Sequence, residues 1–248
     1  MNIPAIMIEH LSKKFDDIKA VDNLTLNVEE GELFGLLGPN GAGKTTIINI
    51  LCGLTKPTEG TAKVGNCDVQ KEGWRVKDII GVCPQETAVY PYLTGAENID
   101  LFGNLHIMDR ETLKKRRTML LEKMGLTQDA KRKAEKYSGG MKRRLSLILA
   151  LIHDPQIAFL DEPTVAMDPQ SRHAVWDFIR DLKKEGKTIV LTTHYMEEAE
   201  TLCDRVGIID HGKLIALGSP NDLTSKGEVT NLEEIFIKLT GRRIREEI

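Results

Sequence analysis

No two of the four cysteines form a C-x-x-C pair: Cys52, Cys67, Cys83 and Cys203 stand far apart. Disulfide frameworks and zinc knuckles need clustered spacing, so both are excluded. Cysteines isolated in apolar settings such as Ile50-Leu51-Cys52 read as small hydrophobes of a reducing compartment. Aromatic residues make up only 5% of the chain, too few for a base-stacking sheet or an aromatic-rich binding face. Neither sign of charge dominates: 34 Lys and Arg against 37 Asp and Glu leave a net charge of −3. No global basic field therefore points to nucleic acid or a membrane surface. The longest apolar run, Leu145 to Ile152, is interrupted by Ser146 and falls far short of the roughly 20 residues a spanning helix needs. The opening MNIPAIMIEH has an early Glu9 and no basic n-region, which predicts no signal peptide. If the protein works at a membrane, another chain must supply the span.

The composition is that of an ordinary globular protein, and 248 residues suit one large α/β domain or a core with a smaller insert. Alternating runs at Met7-Ile8-Glu9 and Leu24 to Val28 predict antiparallel strands. Glu32 to Leu37 predicts a buried strand that enters a glycine-rich turn, followed by a helix over Thr46 to Leu54 that ends at Gly53. Lys56 to Gly60 reads as a turn before a strand from Thr61 to Val64. From Thr87 to Lys136 the pattern turns helical and highly charged. There Leu113, Leu120, Leu121 and Met124 share one face, and Lys114, Lys115 and Arg116 occupy solvated positions. After Ser138 the alternation resumes: a helix to about His153, a strand over Ile157 to Leu160, and a helix with Val175, Phe178, Ile179 and Leu182 as its core stripe. A buried strand follows over Lys187 to Thr192, then a hairpin of Val206 to Ile209 with Leu214 to Leu217. Beyond Pro220 lies a charged tail with one amphipathic segment, Leu232 to Leu239. There is no internal repeat, so the chain holds one catalytic unit.

Gly38-Pro39-Asn40-Gly41-Ala42-Gly43-Lys44-Thr45 matches the phosphate-binding pattern G-x-x-x-x-G-K-[ST]. Glycines let backbone N–H groups close around phosphate oxygens, and the following helix adds its positive N-terminal end. Lys44 is placed to neutralise the β- and γ-phosphates and the Thr45 hydroxyl to ligate Mg²⁺. Ile157-Ala158-Phe159-Leu160-Asp161-Glu162 ends an apolar strand on two carboxylates. In a parallel sheet that end shares a crevice with the phosphate loop, so Asp161 suits Mg²⁺ and Glu162 suits the general base for water. Ser138-Gly139-Gly140 opens a helix whose first residues include Lys142, Arg143 and Arg144, which makes a second anion site. A chain with one phosphate loop has no use for two such sites unless two chains share them.

In content and in motif order, the chain resembles the ATP-binding subunit of ABC transporters over nearly its whole length. The resemblance rests on the phosphate loop, Gln85, Ser138-Gly139-Gly140, Asp161-Glu162, Asp168 and His194. It implies an α/β fold: a P-loop NTPase (RecA-like) core with an N-terminal antiparallel β subdomain and an inserted α-helical subdomain. The core would comprise residues 1–86 and 139–220, the helical subdomain 87–138, and a C-terminal tail 221–248. The resemblance extends the nucleotide-binding set to Thr46 and to Phe15 as an adenine-stacking aromatic, although Phe15 read alone suits a core position too. Gln85 would touch Mg²⁺ or the attacking water and sense the transporter. His194 would contact the γ-phosphate, and Asp168 would communicate across a dimer. His10, His106, His153, His173 and His211 have no such setting and read as surface or satisfied residues.

Tyr137 and Met141 stand where many relatives have Leu and Gln, and Val165-Ala166-Met167 where glycine-containing sequences are frequent. The Tyr-Ser-Gly-Gly-Met form and the tail segment Leu232 to Arg242 are similar to the branch serving multidrug, lipid and polysaccharide exporters. The resemblance implies head-to-tail dimers of two copies sharing ATP, and a membrane-spanning partner subunit whose coupling helix docks near Val89, Tyr90, Tyr92 and Leu93. Those four residues suit packing inside the insert as well. The implied function is ATP hydrolysis that powers transport, with export favoured, at the inner face of the cell membrane and without nucleic acid. A soluble ATPase of the same superfamily acting on ribosomes or DNA is the alternative. Such machines carry two cassettes per chain or long coiled coils, and neither is present. A simple P-loop kinase would have no need for the Ser138 helix end.

Overall fold

Ile6, Ile8 and Leu11 are buried along the first strand while Glu9 and His10 are exposed, so the alternation expected near the N-terminus is real. The computed structural model describes residues 4–241. Residues 1–3 of the opening and residues 242–248 of the tail, including Arg242, lie outside the described residues.

Two sheets form the frame. Strands β1 (Ile6–Phe15), β2 (Ile18–Val28), β4 (Glu59–Val64) and β5 (Cys67–Asp68) make an antiparallel sheet in the order β2-β1-β4-β5. Strands β3 (Leu33–Leu37), β6 (Ile80–Cys83), β7 (Ile157–Asp161), β8 (Thr188–Thr193), β9 (Arg205–Asp210) and β10 (Lys213–Gly218) make the larger one, ordered β10-β9-β3-β8-β7-β6. Its pairs β6–β7, β7–β8, β8–β3 and β3–β9 are parallel, and β10 returns antiparallel on β9. All five residues of β3 are buried and divide by parity. Leu33 and Leu37 enter one core, and Phe34 and Leu36 enter the other. A strand covered on both faces reads as a continuous apolar run, as Leu-Phe-Gly-Leu-Leu does.

Helix α1 (Lys44–Leu51) lies in the core shared with the antiparallel sheet, and it starts and ends earlier than the span expected over Thr46 to Leu54. A short α2 (Gly73–Ile79) precedes β6. The segment 87–136 holds α3 (Gly95–Leu105) and α4 (Arg110–Lys123), with no strand beyond the single bridging pair Thr94–Lys133. Thr94 and Glu97 form a reciprocal capping box on α3, and the Asp109 carboxylate caps α4. Leu113, Leu120, Leu121 and Met124 are buried as expected. Arg116 is not solvated: its Nε donates to Ile152 O at 2.6 Å and its Nη2 to Leu151 O at 2.8 Å. It thus satisfies the last carbonyls of α5 (Gly139–Leu151), which a helix cannot pair internally.

Helix α6 (Pro169–Lys184) buries Val175, Trp176, Phe178, Ile179 and Leu182. Each such side chain contributes roughly 1.5–3 kcal/mol on burial. Helix α7 (Met196–Leu202) follows β8, and α8 (Pro220–Gly227) and α9 (Leu232–Thr240) close the described chain. The tail expectation captured α9, whose Leu232, Ile235 and Phe236 are buried, and omitted α8, which has no buried residue. The parallel strands β3, β7 and β8 all end toward one crevice, into which the glycine-rich turn and both carboxylates are delivered.

Candidate nucleotide site

The loop after β3 is built on glycines that nothing else fits. Gly43 has φ +106°, and a Cβ there would lie 2.2 Å from Ala20 O. Gly41 has φ +77°. The β9–β10 turn clasps the loop, since Gly212 N donates to Ala42 O at 2.9 Å. That clasp was invisible in the sequence, because a hairpin tip carries no mark of what it rests on. Lys44 is only 5% exposed; its Nζ donates to Gly38 O at 2.7 Å and Pro39 O at 3.2 Å and stands 4.0 Å from Glu162 Oε1. Burial lowers the Lys44 pKa, opposed by the charges of Glu162 and Asp161.

Strands β7 and β8 deliver the acidic end. Asp161 Oδ2 accepts a hydrogen bond from Thr45 Oγ1 at 3.0 Å, and its Oδ1 accepts from Thr192 Oγ1. Glu162, just past β7, has φ +49°, the left-handed region, and its amide donates to Thr192 O at 3.0 Å. Strain of this kind persists where the surroundings over-determine it, and it marks functional sites. It turns the carboxylate toward Lys44 and toward His194, whose Nδ1 lies 3.1 Å from Oε1. The His194 N–H does not align with that oxygen, so the contact is a close approach and not a hydrogen bond. Burial pushes the Glu162 carboxyl up, but His194, Lys44 and Arg143 outweigh it and hold it below its ordinary value. A buried carboxylate held ionised beside a lysine suits a general base.

The remaining expected residues lie around this cluster. Phe15 is 46% exposed, with the Lys13 ammonium 4.6 Å from its ring centroid, so it is a surface aromatic and not a core one. Gln85 is exposed just past β6. Asp168 caps α6, accepting from Ser171 N at 2.9 Å, and the Ser171 hydroxyl together with that amide lowers its pKa. Ser138 caps α5, accepting from Met141 N at 3.2 Å; space is open over Gly139, and Met167 lies beside Gly140. Among the described residues, no hydrogen bond or ion pair joins Ser138 to Lys44, Thr45 or Glu162. The cations expected at this helix end are partly used elsewhere. Arg143 is buried and points into the fold, and Arg144 Nη1 donates to Met124 O at 2.7 Å. An anion placed there would meet the serine, the glycines, the helix end and Lys142.

Two residues of the site carried no signal in the sequence. Thr192 holds both Asp161 and the Glu162 amide, and Glu198 lies fully buried in α7 behind Thr164. Of the other histidines, His10 pairs with Asn23, His173 packs edge-on against Trp176, and His106 stacks on His153 at 3.7 Å. The donor set suits magnesium: a hydroxyl and a carboxylate, hard oxygens 3.0 Å apart, with phosphate and water oxygens left to complete the shell. No group of three or more His, Cys, Asp or Glu among the described residues could hold a metal unaided.

The model of the ABC transporter family matches residues 21–165. The chain is 44% identical to the linearmycin resistance ATP-binding protein LnrL of Bacillus subtilis over 89% of this chain and 71% of that protein. It is 41% identical to the Nod factor export ATP-binding protein I of Ralstonia nicotianae, over 94% of this chain and 73% of that protein. Among solved structures, the ATP-binding subunit of an ABC transporter superposes with TM-score 0.88 at 26% identity, covering 95% of this chain and 99% of that one. A dimeric post-hydrolysis cassette bound to ADP and Pi superposes with TM-score 0.79 at 29% identity, over 86% and 98%. The chain belongs to the ABC transporter family, among its ATP-binding subunits.

Proposed function

We propose that two copies of this chain pack head to tail, each ATP held between the Gly38–Thr46 loop of one copy and the Ser138-Gly139-Gly140 helix end of the other. The observation that carries this reading is the exposed, capped start of α5, which has open space over Gly139 and no bond to its own chain's phosphate loop. Phe15 stacks the adenine, Lys44 meets the β- and γ-phosphates, and Thr45, Asp161 and Gln85 hold Mg²⁺. The metal supplies charge neutralisation of the phosphoryl group when bound. Glu162 takes the proton of the attacking water, and His194 positions the γ-phosphate beside it. Asp168 carries the state of one site to the other. Hydrolysis removes the charge that both copies grip, and the pair opens.

That motion powers transport, in the direction of export, through a separate membrane-spanning subunit. In this reading the chain sits at the inner face of the membrane through that partner; no helix among the described residues is long and apolar enough to cross a membrane. A groove of about 350 Å³ opens beside α3, lined by Leu54, Val82, Ala88 and Phe102, and suits a coupling helix. Tyr90 is exposed next to Phe102 of that groove, Tyr92 is exposed, and Val89 packs against the core. We divide the chain into the core, residues 1–86 and 139–220, the helical subdomain 87–138 and the tail 221–248.

Light scattering of the purified chain with Mg-ATP tests the shared site. Glu162→Gln stops hydrolysis while preserving shape, and it should shift from monomer to dimer only with ATP. Adding Lys44→Ala or Ser138→Arg should abolish the shift. A variant that binds ATP yet stays monomeric at high concentration contradicts the shared site.

A further inference from the structure

Arg143 is 2% exposed, and it forms no ion pair with any carboxylate among the described residues. A guanidinium offers five N–H donors in a fixed fork, and here every one meets a backbone carbonyl. Nε donates to Pro163 O at 3.2 Å. Nη1 donates to Pro84 O and, at 2.9 Å, to Gln85 O. Nη2 donates to Asp161 O and, at 2.8 Å, to Glu162 O. Burying a cation with no carboxylate in direct contact is costly, and carbonyl dipoles help to offset that cost. The side chain therefore holds three pieces of backbone to one another. The first is the loop that carries Gln85, the second is the strand end that carries Asp161 and Glu162, and the third is its own helix α5, which Ser138 caps.

We propose that Arg143 is a positioning residue that makes these three pieces move as one body. A displacement of the Gln85 loop or of the Ser138 helix end then repositions the Glu162 backbone and its carboxylate together. The inference rests on the hydrolytic reading above. It assigns Arg143 no contact with nucleotide: it acts through Gln85, Asp161 and Glu162. Lysine retains the charge with only three donors on one nitrogen and cannot span two loops.

The test compares wild type with Arg143→Lys and Arg143→Met, by thermal melting, steady-state hydrolysis, ATP affinity on a Glu162→Gln background, and amide hydrogen exchange over residues 84–89 and 161–165. Arg143→Lys should melt as a folded protein and keep its ATP affinity, because the phosphate loop is untouched. Its kcat should fall at least about tenfold, as expected when catalytic groups are misplaced by a fraction of an ångström or more. Exchange should rise in both segments and stay at the wild-type level in α1. Wild-type kcat in Arg143→Lys, or wild-type exchange over residues 84–89, overturns the proposal. So does a parallel loss of kcat and affinity with exchange raised throughout, which is the mark of a scaffold residue. Should Arg143→Met fail to fold, the lysine variant decides. The exchange readout needs no hydrolysis, so an inactive wild type overturns the hydrolytic reading and leaves the clamp to be judged on exchange alone.

Discussion

Thr45 Oγ1 donates to Asp161 Oδ2 across 3.0 Å, although 116 residues separate them in the chain. The start of α1 and the end of β7 meet because parallel strands of one sheet bring their carboxyl ends to one crevice. Both oxygens are hard donors, a pairing that suits a divalent cation. Thr45→Val keeps the shape and deletes the hydroxyl. The Mg²⁺ concentration for half-maximal hydrolysis should then rise by at least about tenfold, the lower end for losing even an outer-shell partner. A magnesium titration of the ATPase rate checks it, and an unchanged requirement would remove Thr45 from the metal shell.

The carboxyl of Glu198 sits behind the site. Its Oε1 accepts from Thr164 Oγ1 and from Trp176 Nε1, each at 2.8 Å, while Oε2 has no partner. Burial pushes this carboxyl up, against the nearby Thr193 hydroxyl, the hydrogen bonds of Thr164 and Trp176 and the charge of Arg172. An amide keeps the acceptor and carries no charge, so Glu198→Gln should leave stability nearly unchanged. Thr164→Val strips a donor from a buried acceptor and should cost about 1–3 kcal/mol in urea unfolding. Equal losses in the two variants would contradict this account.

Ala166 occupies the left-handed region, with φ +58°, in the loop before Asp168. The backbone at Ala166 adopts the conformation glycine favours. An L-residue there costs roughly 1–2 kcal/mol. The extra unfolded-state freedom of glycine takes back about 0.4–1 kcal/mol. Ala166→Gly should therefore stabilise the protein by about 0.5–1 kcal/mol, read as a higher denaturation midpoint at unchanged slope. A lower midpoint would show that the loop uses the Ala166 methyl.

His106 and His153 stack with rings 3.7 Å apart and nearly parallel, and His153 Nε2 donates to Ile80 O at 2.9 Å. Burial lowers His153 to about 4 and lowers His106 too. Both are charged more readily in the unfolded chain, so the unfolded state binds more protons as pH falls below the ordinary histidine value of about 6.5. The stability they allow is fully present above that value and is lost as pH drops toward the folded value. His153→Phe preserves the stack and removes the titration. Its melting temperature should fall less steeply than that of wild type between about pH 6.5 and pH 4. Parallel melting curves for the two proteins would count against the assignment.

The chemistry-bearing motifs were legible because each is local. The phosphate loop, Asp161-Glu162 and Ser138-Gly139-Gly140 each need particular residues at neighbouring positions, and adjacency survives in a linear sequence. Strands β3, β7 and β8 were legible as apolar runs, and α6 as a stripe at helical spacing. Helices α2 and α7 were not, since seven residues hold too few turns for a period to emerge, and Met196–Leu202 carries three glutamates. Arg116 was expected to be solvated and Arg143 to serve the anion site at the start of α5, and both turn to backbone carbonyls instead. A long cationic side chain on a helix looks solvated, and backbone carbonyls from distant segments leave no residue-type mark to contradict that.

Residue order alone carried the expectation of what this chain handles: the glycines and Lys44 pointed to a polyphosphate, the paired carboxylates at the end of β7 to a reactive water, and the serine-capped glycines to a second anion grip. Backbone spacing within a few residues decides all three. Tertiary structure alone decided how those parts are held. It alone brought Thr45 to Asp161, set Glu162 in a left-handed conformation between Lys44 and His194, laid the Gly212 turn on the phosphate loop and buried Arg143 among five carbonyls. Each of these contacts joins segments far apart in the chain, and the Gly212 and Arg143 contacts end on backbone atoms, which are the same for every residue type until the fold is made.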